Sequence, residues 1–255
     1  MQIKKLFIAL GIVLPLHMQG QNFLIKDAPE VIESYVNQFN REDNELYKQD
    51  IPNCGASDFL RKNIPFFECP DKELEKTYYF RWWTYRKHIK KTPDGFVITE
   101  FLPDVPWAGK YNTISCAANH HFYEGRWLRN AEILSDYASF WFSGSGNPRL
   151  YSFGAADAIY NYYLIHNDKM LLADLYPKLK DNFAKWEEEK RDSTGMFWQV
   201  DDRDGMEMSV SGHLSEGGRG YRPTINSYMY GEAVALAKIA SIVDRDGSPD
   251  LSEEG

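Results

Sequence analysis

The chain has only three cysteines among its 255 residues, and no two of them form a CxxC pair. HExxH is also missing, so neither of the common zinc spacings is present. His120 and His121 are neighbours. On a helix they point about 100° apart, which suits one metal ion poorly. Asp201, Asp202 and Asp204 lack the alternate spacing and the distal glutamate of an EF-hand. No cofactor is implied. There is no long basic run, and the net charge is −8. A nucleic-acid partner is therefore excluded, because phosphate backbones are bound through a positive footprint. The apolar run from Leu6 to Leu16 is too short to span a bilayer comfortably.

What the N-terminus does have is the layout of a secretory signal. "MQIKKLFIALGIVLPLHMQGQ" places Lys4 and Lys5 before the apolar run and small or polar residues after it. Residues 1–20 read as a signal peptide cleaved before Gln21. No cysteine follows to carry a lipid, so no membrane partner is expected after cleavage. The expected location is periplasmic or secreted. In an oxidising compartment Cys54 and Cys69 can close a short loop. Cys116, among apolar neighbours, reads as a buried thiol.

Residues 21–71 are polar and read as a leader, with one helix at "APEVIESYVNQF" and an irregular connection after it. Residues 72–255 read as a helical body. "KELEKTYYFRWWTYRKHIKK" is helix-like up to the turn at Pro93-Asp94-Gly95, and "GFVITEFLP" reads as a short strand or extended loop. "SCAANHHFYEGRWLRNAEILSDYASFWFSG" reads as helix with a break at Gly125. Two further helices are split at Asn167-Asp168, and a last one opens at Pro223, a residue suited to a first turn. Short connections make helical hairpins. The connections Pro93–Ile114 and Asp192–Arg222 are long, and long loops in compact domains tend to be functional or disordered. These two carry Trp107, Trp198, Tyr221 and a cluster of carboxylates, which is not a disordered composition.

The cluster is "FWQVDDRDGMEMS", which gathers Asp201, Asp202, Asp204 and Glu207 around Arg203. Like charges so close repel, and a carboxyl among them keeps its proton more readily. Acetal cleavage uses one carboxylic acid to protonate the leaving oxygen and a second to activate water or attack. Rings that stack on a sugar and groups that bond its hydroxyls complete such a site. Asp202 and Asp204 are candidate hydroxyl acceptors or tuners of the acid. Trp107, following a proline in an extended loop, is either a sugar platform or a loop anchor, with Tyr111 and Asn112 as a continuation of that wall. Trp198 is a second ring beside the cluster. Arg222 and Asn226, at the start of the last helix, position the acidic loop or bind substrate, and Tyr228 lies just beyond them. Trp82 and Trp83 read as core. Arg126 suits a carboxylate, a hydroxyl or a surface ion pair, while Asp157, amid apolar residues, requires a partner.

From Tyr78 to about Val243 the chain resembles the catalytic domain of glycoside hydrolase family 63 and the related mannosylglycerate hydrolase-like group. The blocks that carry the resemblance are "RWWTYRKHI", "FLPDVPWAGKYNTISCAANHHFYEGRWL", "YSFGAADAIYNYYL", "FWQVDDRDGMEMS" and "YRPTINSYMYGEAVALAKIA". The resemblance implies an all-α fold, here an incomplete (α/α)6 toroid of helical hairpins with long loops at one end. It also implies an oligosaccharide or glycoside substrate. The family's general acid lies in a segment Gly-Met-Asp-Asn-Ser, matched here by Gly205-Met206-Glu207-Met208-Ser209, so the acid falls on Glu207, one methylene longer than aspartate. The family's base is a late glutamate, and these 255 residues stop before it. The expectation is thus half of an inverting site on the N-terminal part of a longer glycosidase, inactive alone. Two alternatives remain from other classes: a carbohydrate-binding protein without hydrolysis, and a polysaccharide lyase of helical toroid fold.

Overall fold

The computed structural model describes residues 28–206 and 218–247. Among them are eight α-helices: α1 (Ala28–Glu42), α2 (Ala56–Asn63), α3 (Lys72–His88), α4 (Ser115–Gly125), α5 (Glu132–Phe142), α6 (Ala155–His166), α7 (Lys169–Lys190) and α8 (Pro223–Gly247). Two small antiparallel ladders accompany them, β1 (Ile89–Thr92) with β2 (Gly95–Ile98) and β3 (Trp198–Gln199) with β4 (Gly220–Tyr221). None of the described helices is long and apolar enough to cross a membrane.

Local chemistry sets the breaks. Asp71 caps α3, its carboxylate accepting from Glu73 N–H at 3.1 Å and Leu74 N–H at 3.2 Å. Asn167 ends α6 in the left-handed conformation, and Asp168 then caps α7 by accepting from Leu171 N–H at 3.0 Å. Gly125 separates α4 from α5 where the sequence placed the break, and the Tyr85 ring lies where a Cβ would stand.

The helices alternate in role. α6 packs against both α4 and α8 although none of the three is adjacent in sequence, while α7 packs on α5, α6 and α8. This is the inner-and-outer arrangement of a helical-hairpin toroid, of which the chain forms an arc. An alternating arc brings the N-termini of its inner helices to one end, and two bonds join the segments at that end here. Ser115, the first residue of α4, accepts from Tyr151 N–H at 3.1 Å. Ser152 N–H donates to Arg203 O at 2.9 Å, and Arg222 stands directly before α8. Most apolar burial lies in one cluster running from Ile32 in α1 to Ile239 in α8, with Trp82 and Trp83 both inside it. α1 and α2, from the segment 21–71, pack with α3 in that same cluster. A second, smaller cluster of Trp186, Phe197, Ile225 and Met229 sits under the acidic loop.

Four expectations are corrected. The helix ending at Lys91 stops at His88, because residues 89–92 pair with 95–98 in a hairpin whose Gly95 takes φ +96. The connection after α1 is not wholly irregular but contains α2, whose Ala56 and Leu60 are buried. Cys54 and Cys69 are free thiols rather than a pair, the first exposed. Cys116 is half-buried rather than sealed, because it lies on the face of α4 over which Gly205 folds, with 3.3 Å between its Cβ and the place a Gly205 Cβ would take.

Candidate active site

The acidic loop leaves α7 and returns to α8, and its two feet are tied together inside the protein. Phe197 plugs the small cluster between those helices. Asn226, one turn into α8, clamps its backbone: Oδ1 accepts from Phe197 N–H at 3.0 Å and Nδ2 donates to Phe197 O at 2.8 Å. Asn226 therefore acts as an internal strand partner that aligns β3 against β4.

Arg222 is the centre of the second tie. It is 0 % exposed in its side chain, with Nη1 2.8 Å from Asp201 Oδ1 and Nε 2.7 Å from Asp204 Oδ2. Its Nη2 donates to Met206 O, and Ser152 Oγ donates to Asp204 Oδ1 at 2.6 Å. Burial works against the arginine's charge, but the bonds from Asp204 and Asp201 outweigh it and hold its pKa above the ordinary value. Asp204 is thus turned inward and not towards a sugar, and of the two roles open to Arg222 the contacts are those of positioning the acidic loop. Both are sealed and engaged with each other, because a buried arginine needs carboxylates around it. Asp201, unassigned from sequence, is 5 % exposed and belongs to the same knot. Gly205 follows at φ +73, a conformation that glycine adopts without strain.

Asp202 points outward from the same turn, into a cleft shared with Lys190, Gln199 and Arg203. Trp198 is half-buried, and its indole holds Lys190 Nζ 3.8 Å and Arg219 Cζ 4.4 Å from a ring centroid. Trp107 is 57 % exposed and meets the Phe101 ring edge-on at 6.0 Å within its own loop. Among the described residues no ring contact joins it to the acidic loop. Asn112 is buried and organises that loop, Nδ2 donating to Phe101 O at 2.5 Å and Pro103 O at 2.9 Å. It is not part of a sugar-facing wall. Tyr111 packs towards Phe140. Glu207, the candidate acid, lies outside the described residues.

A further polar junction joins the three inner helices. The Tyr123 hydroxyl of α4 donates to Asp157 Oδ2 of α6, and Arg126 Nη1 donates to Asn161 Oδ1 at 2.7 Å. Burial first, then Asp157, pushes the Tyr123 phenol above its ordinary range. Tyr228 of α8 is half-buried, and burial raises its phenol as well. Sequence reasoning missed Glu232. It is 0 % exposed, and Oε1 accepts from the Ala156 and Asp157 N–H groups at 2.5 and 3.2 Å, capping the N-terminus of α6 from a neighbouring helix. Its pKa is pushed up to about 8 by burial, which the two backbone bonds only partly oppose. A signal was there: Ile225, Met229, Glu232, Ala235 and Ile239 fall at helical spacing, so the glutamate interrupts an apolar stripe. Among the described residues no three His, Cys, Asp or Glu side chains are grouped to hold a metal ion.

A helical-hairpin arc with an acidic loop tied at its converging helix ends defines a class, the toroidal glycoside hydrolases. Residues 110–254, more than half of the chain, match the family model of the mannosylglycerate hydrolase MGH1-like glycoside hydrolase domain, and the chain belongs to that family. A solved structure titled "Sialidase" is similar, with 40 % identity and a TM-score of 0.78 over 86 % of this chain. The chain spans 20 % of that protein's length. No match was found among the curated proteins.

Proposed function

We propose that this chain forms the acid-bearing part of an exported, inverting glycosidase, with Glu207 as general acid. The observation that carries this reading is the tie at Arg222. It bonds Asp204 and Met206 O on one side of Glu207, while it precedes α8 on the other. A chain tied at the residue directly before Glu207 supports a role for a group that must meet a leaving oxygen within hydrogen-bond reach. An inverting reaction requires a second carboxyl ~6.5–9.5 Å from the first, with water between them. We assign that base to sequence beyond these 255 residues, so the chain alone is expected to be inactive. Trp107 and Asp202 are the exposed members of the proposed substrate contacts, Trp198 adds a half-buried ring, and Asn226 and Tyr228 support them from α8. The signal-like N-terminus supports a mature protein in the periplasm or outside the cell.

The test uses the full-length protein. Glu207→Gln is expected to lower turnover of glycosides with poor leaving groups about 10²–10⁴-fold. Activated aryl glycosides, whose leaving groups depart unprotonated, should lose much less. Equal turnover by wild type and variant on the poor leaving group would overturn the assignment. Inversion is checked by the anomer first formed, read by NMR.

A further inference from the structure

The acidic protein gathers cations on one side of its acidic loop. Lys190 ends α7, Arg203 follows Asp202 in the loop, and Arg219 precedes β4. Among the described residues none of the three has a carboxylate within salt-bridge distance. Their recorded contacts are with rings instead: Lys190 and Arg219 with Trp198, and Arg203 with Tyr151 at 5.8 Å. Burial lowers the Lys190 pKa, and Arg219 and Arg203 push the same way against Glu189. The ring contacts favour these positions, but the positive charges repel one another.

A second feature points to a ligand. Lys190 and Arg203 line an open cleft of about 500 Å³ with Gln199, which is 1 % exposed. Its Oε1 accepts from Val200 N–H at 2.9 Å, yet its Nε2 is buried with no acceptor among the described residues. An amide donor and two cations lining one cleft suit an anionic oxygen as a common partner. The cleft also contains Arg149, which is engaged with Glu189 at 3.3 Å, and Asp202, which is exposed. Asp202 can accept from a hydroxyl where it would repel an anion.

We propose that this cleft is a subsite for an acidic sugar unit. Its carboxylate or sulfate ester is held by Lys190, Arg203 and the Gln199 amide, and a hydroxyl is held by Asp202. The inference rests on the glycosidase reading for its sugar, but its test reads binding and needs no turnover.

The experiment uses full-length protein carrying Glu207→Gln and three oligosaccharide probes of equal length: a uronic-acid oligomer, its carboxyl-reduced neutral twin, and a sulfated neutral oligomer. Calorimetry at low salt is expected to show the uronate bound at least tenfold tighter than its neutral twin. That advantage should shrink as salt is raised. The surface double variant Lys190→Gln/Arg203→Gln should remove it. Gln199→Met should reduce it, with circular dichroism confirming the fold. A sulfated probe that outranks the uronate identifies an ester rather than a carboxylate as the group held. Equal affinity for all three probes, or an advantage untouched by the double variant, would overturn the proposal. If neutral glycans are hydrolysed with the Glu207-dependent profile described above while the acid advantage is absent, this inference falls and the glycosidase reading stands.

Discussion

At the foot of the acidic loop, Asp204 lies 1 % exposed against the Arg222 guanidinium. At the junction of α6 and α8, Glu232 lies 0 % exposed against two backbone N–H groups. Two carboxyls are equally hidden, but one has a full opposite charge and the other only the partial charge of a helix end. The first arrangement locks a loop through an ion pair that fails if either partner is lost. The second leaves a carboxyl that keeps its proton near neutrality, its other oxygen buried without a partner. The loop foot is tied by an ion pair. The helix junction is built to respond to alkali.

The strongest way to break this contrast is to remove the cation. Arg222→Met would leave Asp201 and Asp204 buried without their arginine, and should cost ~3–5 kcal/mol in unfolding free energy by urea titration. A loss below ~1 kcal/mol would mean that the pair is already exposed to water. The second test is pH. Glu232 has a folded pKa of about 8, above its ordinary value of 4.5. The unfolded chain therefore gives up this proton first as pH rises. Stability from this group is full below pH 4.5 and declines until pH passes about 8. The whole decline is on the order of 5 kcal/mol. Glu232→Gln cannot ionise, so its melting temperature should change less between pH 5 and 9 than that of wild type. Parallel pH profiles would remove the assigned role.

Smaller effects sharpen the picture. Ser152→Ala deletes the hydroxyl that bonds Asp204 and should cost ~1–3 kcal/mol, with the loss shrinking in an Arg222→Met background because the two share Asp204. Asn226→Ala frees the Phe197 backbone and should cost ~1–2 kcal/mol, read by thermal melting and by faster amide exchange at Phe197. Trp107→Ala, at an exposed ring, should change stability by less than ~0.5 kcal/mol. Any rise in KM for a glycan would then report a sugar contact.

The helical body was legible because its signals are local. Asn167-Asp168, Gly125 and Pro223 each act within one turn, and the structure ends or starts helices at these points. The acidic cluster stood out because its like charges have no local reason to be together. The roles within it were not legible. Asp202 and Asp204 are two residues apart and chemically identical, yet one faces a cleft and the other is sealed. What separates them is Ser152 and Arg222, 52 and 18 residues away. β1 was read as the end of a helix because Ile89-Lys90-Lys91 continues the helical composition, while β2 lies where a short strand or extended loop was expected. Only pairing across Gly95 shows otherwise.

By itself, then, the sequence determined that the protein is a set of helical hairpins with an acidic, aromatic loop between two of them, since periodicity, caps and breakers act over a few residues. Tertiary structure alone decided which charges are structural and which are free. A carboxylate's role depends on what lies within about 3 Å of it. For Asp204 and Glu232 those neighbours come from other elements, brought close by the packing of α6, α7 and α8.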